Sequence, residues 1–403
     1  MSDLFWPGDE RAGSLMSGPA LVAAMLRVEA AWLAALCTRR VAPEEAYDDL
    51  TGLVADDDMD ALAARSEAGG NPVIPLLETV REGLRGRNEL AARWLHRGLT
   101  SQDVLDTALV LCLRDVLDAV AAELGQQNAT LCELAESHRE TLMVGRTLTQ
   151  PAVPISFGLK AATWLDGVLD AAGSVAAARD GLRVQLGGAA GTMAAAAELA
   201  GAERVPELVR TVARALDLQG GTPWHTNRRL LTRTGDALVS CTDAWGRIAN
   251  DVLTLARPET GELAEGSGGG SSTMPHKANP VLSVLVRRAA LTGPMAVAQL
   301  HLAAAEADDE RPDGAWHTEW ATLRDLGRRT TVAGSQTSRL LAGLQVHAQA
   351  MKDNLAAALP DALAEQRSMA GLAGHQPGDD PAGYLGIASS IVDSTVERAR
   401  RHR

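Results

Sequence analysis

Between Asp103 and His138 the chain contains no proline, and Leu109, Leu113, Val116, Val120 and Leu124 recur every three or four residues. That spacing lines them up along one face of an α-helix, and Thr100-Ser101-Gln102-Asp103 supplies residues suited to starting it. The same periodicity runs through Leu21, Met25, Val28, Trp32 and Leu36, from Asp236 to Ala256, beyond Pro280 towards Arg287 and Arg288, and from Thr322 to Leu344. Long helices expose apolar stripes that must bury one another. The pattern therefore predicts an all-α fold, an elongated helical bundle with smaller helical ends, and convincing alternating strands are scarce. Aromatic residues make up only 3%, which implies a core of Ala, Leu and Val with close helix approach. The expected organisation is an N-terminal helical domain over 1–102, a central bundle over 103–345 and a C-terminal helical region over 346–403. Within the last, the Gly/Pro/Asp stretch 374–383 reads as a loop before a terminal helix.

The 403 residues are 46% apolar and 22% charged, a balance that allows a large core and argues against disorder. The N-terminus lacks a basic region followed by an apolar core, and no uninterrupted apolar run reads as long enough to span a membrane. Cys37, Cys112, Cys132 and Cys241 lack the close pairing of a zinc site or disulfide framework, so a cytoplasmic protein with small buried cysteines is expected. A net charge of −13 argues against nucleic acid as a partner. It leaves room for a small anionic substrate held by local cations, for which Arg146, Arg228, Lys277 and Arg311 are the candidates. Gly187-Gly188-Ala189-Ala190-Gly191-Thr192 lacks the preceding strand of a dinucleotide site and reads as a turn or close backbone packing. No metal or cofactor is expected.

Residues 266–280, Gly-Ser-Gly-Gly-Gly-Ser-Ser-Thr-Met-Pro-His-Lys-Ala-Asn-Pro, combine backbone freedom, paired hydroxyls, a cation and an amide. Glycines leave amide N–H groups free to approach an anion, and Pro275 and Pro280 stiffen the far end. Lys277 and Asn279 suit a substrate carboxylate, and Ser271 or Ser272 is placed to act at the neighbouring carbon. Composition alone also fits a Gly/Ser linker.

The run Gly-Ser-Ser-Thr-Met-Pro-His-Lys-Ala-Asn-Pro at 270–280 resembles the signature loop of the fumarase/aspartase superfamily at every fixed position. The resemblance implies that Ser271 is the general base and that Ser272, Met274, His276, Lys277 and Asn279 contact substrate. His96-Arg97-Gly98-Leu99-Thr100-Ser101-Gln102-Asp103, in isolation an ordinary helix cap, resembles the first conserved region and carries substrate binding to Thr100 and Ser101. Gly145-Arg146-Thr147-Leu148-Thr149-Gln150 resembles the second region, which implies that Arg146, Thr147 and Gln150 line the same cleft. Leu148 stands where the fumarase and aspartase branches carry a histidine, so that general acid is missing. Pro223-Trp224-His225-Thr226-Asn227-Arg228 offers an aromatic wall, an imidazole and a cation. His225 and His96 are candidate proton or orientation partners, although His225 and His317 read singly are also ordinary structural histidines.

Together with Trp316-His317-Thr318-Glu319-Trp320, these motifs are most similar to the 3-carboxy-cis,cis-muconate cycloisomerase branch, over about Leu21 to Leu355. The third domain of that family looks shortened here. The resemblance implies a homotetramer with sites shared between subunits and a di- or tricarboxylate substrate. It also implies reversible closure of 3-carboxy-cis,cis-muconate to a carboxymuconolactone. The acid/base group acts beside a carboxylate that develops into a doubly charged aci form, which the loop amides, Lys277 and Asn279 stabilise. Elimination from an N- or O-substituted succinate, giving fumarate, is the alternative reaction. A non-catalytic scaffold that retains the lyase architecture is the alternative of another kind.

Overall fold

The computed structural model of the protein describes residues 3–266, 269–270, 274, 278–359 and 361–401. Helix α1 (Gly18–Thr38) is followed by the shorter α2 (Met59–Gly69), α3 (Val73–Leu84) and α4 (Glu89–Trp94). The long α5 (Ser101–Ser137) leads into a hairpin of β1 (Leu142–Thr147) and β2 (Gln150–Ser156), and α6 (Phe157–Asp180) runs back. Short α7 (Ala194–Ala200) and α8 (Val205–Ala215) precede α9 (Arg229–Leu255) and a three-residue strand β3 (Leu263–Glu265). After the signature loop come α10 (Val281–Ala305) and α11 (Gly314–Ala342). Strand β4 (Leu344–Val346) pairs antiparallel with β3, and α12 (Ala348–Ala358), α13 (Ala364–Ala373) and α14 (Ala388–Arg401) complete the chain.

Side-chain contacts fix the direction of each long helix. Arg228, at the entry to α9, meets Asp106 near the start of α5. Trp164 near the start of α6 donates to Asp251 near the end of α9. Trp316 at the start of α11 donates to Asp106, and Gly343 beyond its end abuts Gly266. Helices α5, α9 and α11 thus run one way, and α6 and α10 the other. The centre is pinned by Trp245 of α9, which is fully buried and donates 2.6 Å to the Gln127 amide oxygen of α5. The amide nitrogen of Gln127 reaches the Gly334 carbonyl of α11 at 3.0 Å. Small residues let the helices close: a Cβ at Gly246 would stand 2.5 Å from that of Ala290, so α9 needs glycine where it crosses α10 at that point.

The ends are strapped to this bundle. Trp6 is buried between the guanidinium groups of Arg288 of α10 and Arg329 of α11, 3.7 and 4.6 Å from its ring centre. At the other end, Arg398 of α14 pairs with Asp166 and Asp170, and Arg400 with Glu136. The basic end of α14 is thus exposed yet paired, with contacts of the kind that individually contribute little.

Two helices, Gly18–Thr38 and Val281–Ala305, are long and apolar enough by composition to cross a membrane, although charges interrupt both runs, Arg27 and Glu29 in the first and Arg287 and Arg288 in the second. Both lie in packed positions, α1 on α5 and α10 between α9 and α11. Helix α10 nonetheless keeps Val281, Val284, Leu291, Met295 and Leu302 between 37% and 73% exposed. Their spacings of three, seven, four and seven put them on one helical face.

Trp245→Ala removes the side chain that joins α5, α9 and α11, and is expected to destabilise the fold by about 3–5 kcal/mol. Urea unfolding of the two proteins checks this, and a loss below about 1 kcal/mol contradicts a central role for the ring.

Candidate functional site

The first part of the site is built at the N-terminus of α5. Asp103 is fully buried and accepts from the backbone N–H groups of Thr100 (3.0 Å), Gly187 (2.8 Å) and Gly188 (3.0 Å) and from the Gln185 amide (3.2 Å). Burial pushes its carboxyl up to about 7, and these four donors pull the other way. The carboxylate thereby ties the helix cap to the glycine turn. The turn's composition has a steric cause: a Cβ at Gly187 would lie 2.1 Å from Cε1 of His225. The glycines read from sequence as close packing make room for that imidazole.

His225 is buried, with Nε2 3.1 Å from the Gly188 carbonyl and 3.7 Å from Asp103. A neutral ring that donates from Nε2 leaves Nδ1 as an acceptor. The His225 backbone carbonyl is held by Gln102 (3.0 Å) and Arg228 (3.1 Å).

Arg228 departs from its expected role as a cation facing substrate. Its side chain is 0% exposed, and its nitrogens are taken by Asp106 at 2.7 and 3.0 Å and by Glu319 at 2.6 and 2.9 Å. Two carboxylates around one guanidinium form a buried cluster, and burial raises Glu319 against the pull of Arg228. Losing one partner of such a set leaves an uncompensated buried charge. The cluster positions rather than binds: it holds the His225 backbone, and Asp106 also accepts from the Trp316 ring nitrogen at 2.8 Å. Arg311 lies 4.9 Å from the Trp316 ring centre, with one nitrogen 3.5 Å from the Thr100 hydroxyl. No described carboxylate pairs with Arg311. Arg311 is thus a cation at this end of the bundle that stands beside Thr100, at the cap of the helix that Ser101 begins.

His96 completes this end. Its backbone takes a left-handed φ of 65°, and its Nδ1 lies 2.6 Å from Oε1 of Glu29, which is 1% exposed. A buried carboxylate on Nδ1 fixes the ring and leaves Nε2 to exchange a proton. Sequence reading missed Glu29, which interrupts the apolar stripe of α1 beside Val28. It also missed Asp106 and Glu319 as partners of Arg228. An acid at a buried helical position was the available signal.

Arg146, Thr147 and Gln150 lie on the β1–β2 hairpin, which follows the far end of α5. At 37 residues, α5 is about 55 Å long, so these residues do not share a cleft with Thr100 and His225 inside one chain. Arg146 is committed to Glu262 at 2.7 and 2.9 Å and is not a free cation. Thr147 and Gln150 are exposed and face each other across a two-residue tip, Leu148-Thr149. Both tip residues have positive φ, 48° and 72°, and Leu148 is 95% exposed.

The roots of the signature loop lie at this same end. Gly269 and Asn279 exchange backbone hydrogen bonds at 2.8 and 2.9 Å, and the Asn279 amide points to the Gly270 carbonyl at 3.5 Å. Glu265 accepts from Leu282 N–H (3.1 Å), Ser283 N–H (2.8 Å) and the Ser283 hydroxyl (2.6 Å), capping α10 where its free N–H groups favour a carboxylate. Met274 is 43% exposed. Ser271, Ser272, His276 and Lys277 lie outside the described residues. Among the described residues no group of three His, Cys, Asp or Glu side chains is arranged to hold a metal ion.

Burial holds the His225 imidazole below its ordinary value of 6.5, partly offset by the Gly188 contact. A depressed base favours folding in its neutral form. Its stabilising contribution is therefore present above 6.5 and lost as pH falls through the folded value. An NMR titration is expected to place the His225 midpoint below 6.5, and a midpoint above 6.5 contradicts the neutral assignment.

The family model described as lyase matches residues 45–292. A nitrosuccinate lyase of Streptomyces davaonensis is 38% identical over 96% of this chain and 93% of its own. A 3-carboxy-cis,cis-muconate cycloisomerase of Bradyrhizobium diazoefficiens is 38% identical over 82% of this chain and 74% of its own. The crystal structure of 3-carboxy-cis,cis-muconate lactonizing enzyme from Pseudomonas putida superposes with a TM-score of 0.79 at 31% identity, covering 94% of each chain. The similarity spans both ends of the bundle and the loop between α9 and α10. The chain therefore belongs to the lyase family of the fumarase/aspartase superfamily, and it is an enzyme of that superfamily.

Proposed function

We propose that this enzyme interconverts 3-carboxy-cis,cis-muconate and a carboxymuconolactone, adding one substrate carboxylate across a double bond and reversing the step. The observation that carries the reading is the match to the lactonizing enzyme from Pseudomonas putida over 94% of both chains. The site chemistry supports it. Arg311 and Thr100, with Ser101 at the first turn of α5, form a cradle for one carboxylate. Lys277 and Asn279 take the carboxylate next to the reacting carbon, where charge builds into the aci form. Ser271 exchanges the carbon-bound proton, and neutral His225 and the Glu29-held His96 are the groups able to relay it. Ser272, Met274 and His276 frame the loop side of the substrate, and Thr147 and Gln150 reach it from the hairpin.

These parts meet only if different copies of the chain supply them, because about 55 Å of α5 separates the cradle from the hairpin within one chain. A homotetramer with shared sites satisfies that requirement, and the exposed stripe of α10 suits burial against a second copy. The cytoplasm suits an enzyme whose four cysteines are all buried thiols.

A second reading, elimination of nitrite from nitrosuccinate to leave fumarate, is favoured by the relative that matches 96% of this chain and 93% of its own length. Both reactions use the same proton exchange and the same carboxylate clamp, and they differ in what leaves the neighbouring carbon.

Incubation with 3-carboxy-cis,cis-muconate is expected to bleach the diene absorbance and yield a lactone by NMR, with Ser271→Ala slower by about a hundredfold or more. Formation of fumarate from nitrosuccinate, with the muconate untouched, overturns the first reading in favour of the second. Arg311→Met is expected to raise KM by about tenfold or more, with Arg311→Lys less affected, because lysine keeps the charge and loses only the fork of donors. An unchanged KM in Arg311→Met removes Arg311 from the substrate site.

A further inference from the structure

We infer that Glu262 and Asn354 are positioning residues for the hairpin tip, acting through Arg146, and that the segment following β4 thereby serves the site. The inference rests on the shared-site reading above and goes beyond it by naming what holds the tip in shape.

Glu262 is 0% exposed and stands immediately before β3. It accepts two hydrogen bonds from Arg146 and one from the Asn354 amide of α12 at 2.8 Å. The same amide reaches the Thr260 carbonyl at 2.8 Å, and His347, just ahead of α12, holds the carbonyls of Gly261 at 2.8 Å and of Glu262 at 3.0 Å. Three segments thus converge on one carboxylate: the hairpin, the root of the signature loop and the first helix after β4.

The tip needs such support. Pairing between β1 and β2 shifts register between Val144 and Arg146, a local bulge that turns the strand and re-aims its side chains. Beyond it, Leu148 and Thr149 both adopt left-handed φ, which costs on the order of 1–3 kcal/mol per non-glycine residue and persists only where the surroundings impose it. Among the described residues the tip side chains make one hydrogen bond, from Gln150 to the Thr149 hydroxyl at 3.3 Å. The constraint must therefore come from the base, where Arg146 is the last residue before Thr147. A buried ion pair is a poor device for stability alone, because desolvation offsets much of its attraction, whereas its directional fork suits holding a strand at a fixed angle.

Glu262→Gln and Asn354→Ala are compared with the unaltered protein by hydrogen exchange of the 142–156 hairpin and by steady-state kinetics. Exchange in the hairpin is expected to quicken by about tenfold or more while the centres of α5, α9 and α11 stay protected, with kcat/KM falling by about tenfold or more. Asn354→Ala keeps the Arg146–Glu262 pair and guards against a Glu262 variant that folds poorly. Unchanged hairpin exchange in both variants overturns the inference, as does exchange that rises equally throughout the bundle. If the unaltered protein turns over neither the muconate nor nitrosuccinate, the functional reading fails, and the hairpin exchange still decides the positioning role.

Discussion

The rigidity of α5 governs the rest of this structure. A continuous helix of 37 residues cannot fold back on itself, so whatever is built at its N-terminus is held far from whatever follows its C-terminus. The chain places a capped anion cradle at one end and a hairpin and loop roots at the other. Packing reinforces the separation, because Trp245, Gln127 and Gly334 lock three helices together at mid-length. A bundle pinned in this way lacks the freedom to bring its ends together, and the proposed shared site relies on complementarity between copies instead.

The two ends differ in electrostatic design. At the cradle, two buried carboxylates are spent on Arg228, whereas Arg311 stands beside Thr100 with no carboxylate partner among the described residues. Trp316 links the two: its ring nitrogen is fixed by Asp106, and its ring carries Arg311. Burial favours the neutral form of His225 beside a glycine turn shaped around its ring. At the hairpin end, Glu262 neutralises Arg146, and Glu265 caps α10, so these three charges are devoted to geometry. In the proposed function, anion binding at that end falls to Lys277 and Asn279 of the loop.

Much of this was legible in the sequence, for identifiable reasons. The stripe from Leu109 to Leu124 specified α5 because a proline-free 3.6-residue repeat has few alternatives, and the break at Pro280 marked the start of α10. The signature loop pointed to the family because its residue types combine flexibility with a cation and an amide in a fixed order. Arg228 and Arg146 were harder. A sequence shows that a cation is present but not whether a carboxylate more than a hundred residues away neutralises it, as Glu262 does for Arg146. The partners Asp106, Glu319 and Glu29 sat inside apolar helical stripes, where an acid signals burial without naming its partner. The hairpin escaped notice because seven residues with two prolines, Gln150–Ser156, make a weak strand pattern.

The central claim is that one site draws residues from both ends of the bundle through different copies of the chain. The direct test mixes Arg311→Met protein, impaired at the cradle, with Ser271→Ala protein, impaired in the loop, under conditions that let subunits exchange. Shared sites predict that hybrids regain activity neither parent shows, because some sites then contain an intact Arg311 and an intact Ser271 from different chains. Hybrids that form and stay as inactive as their parents contradict the account.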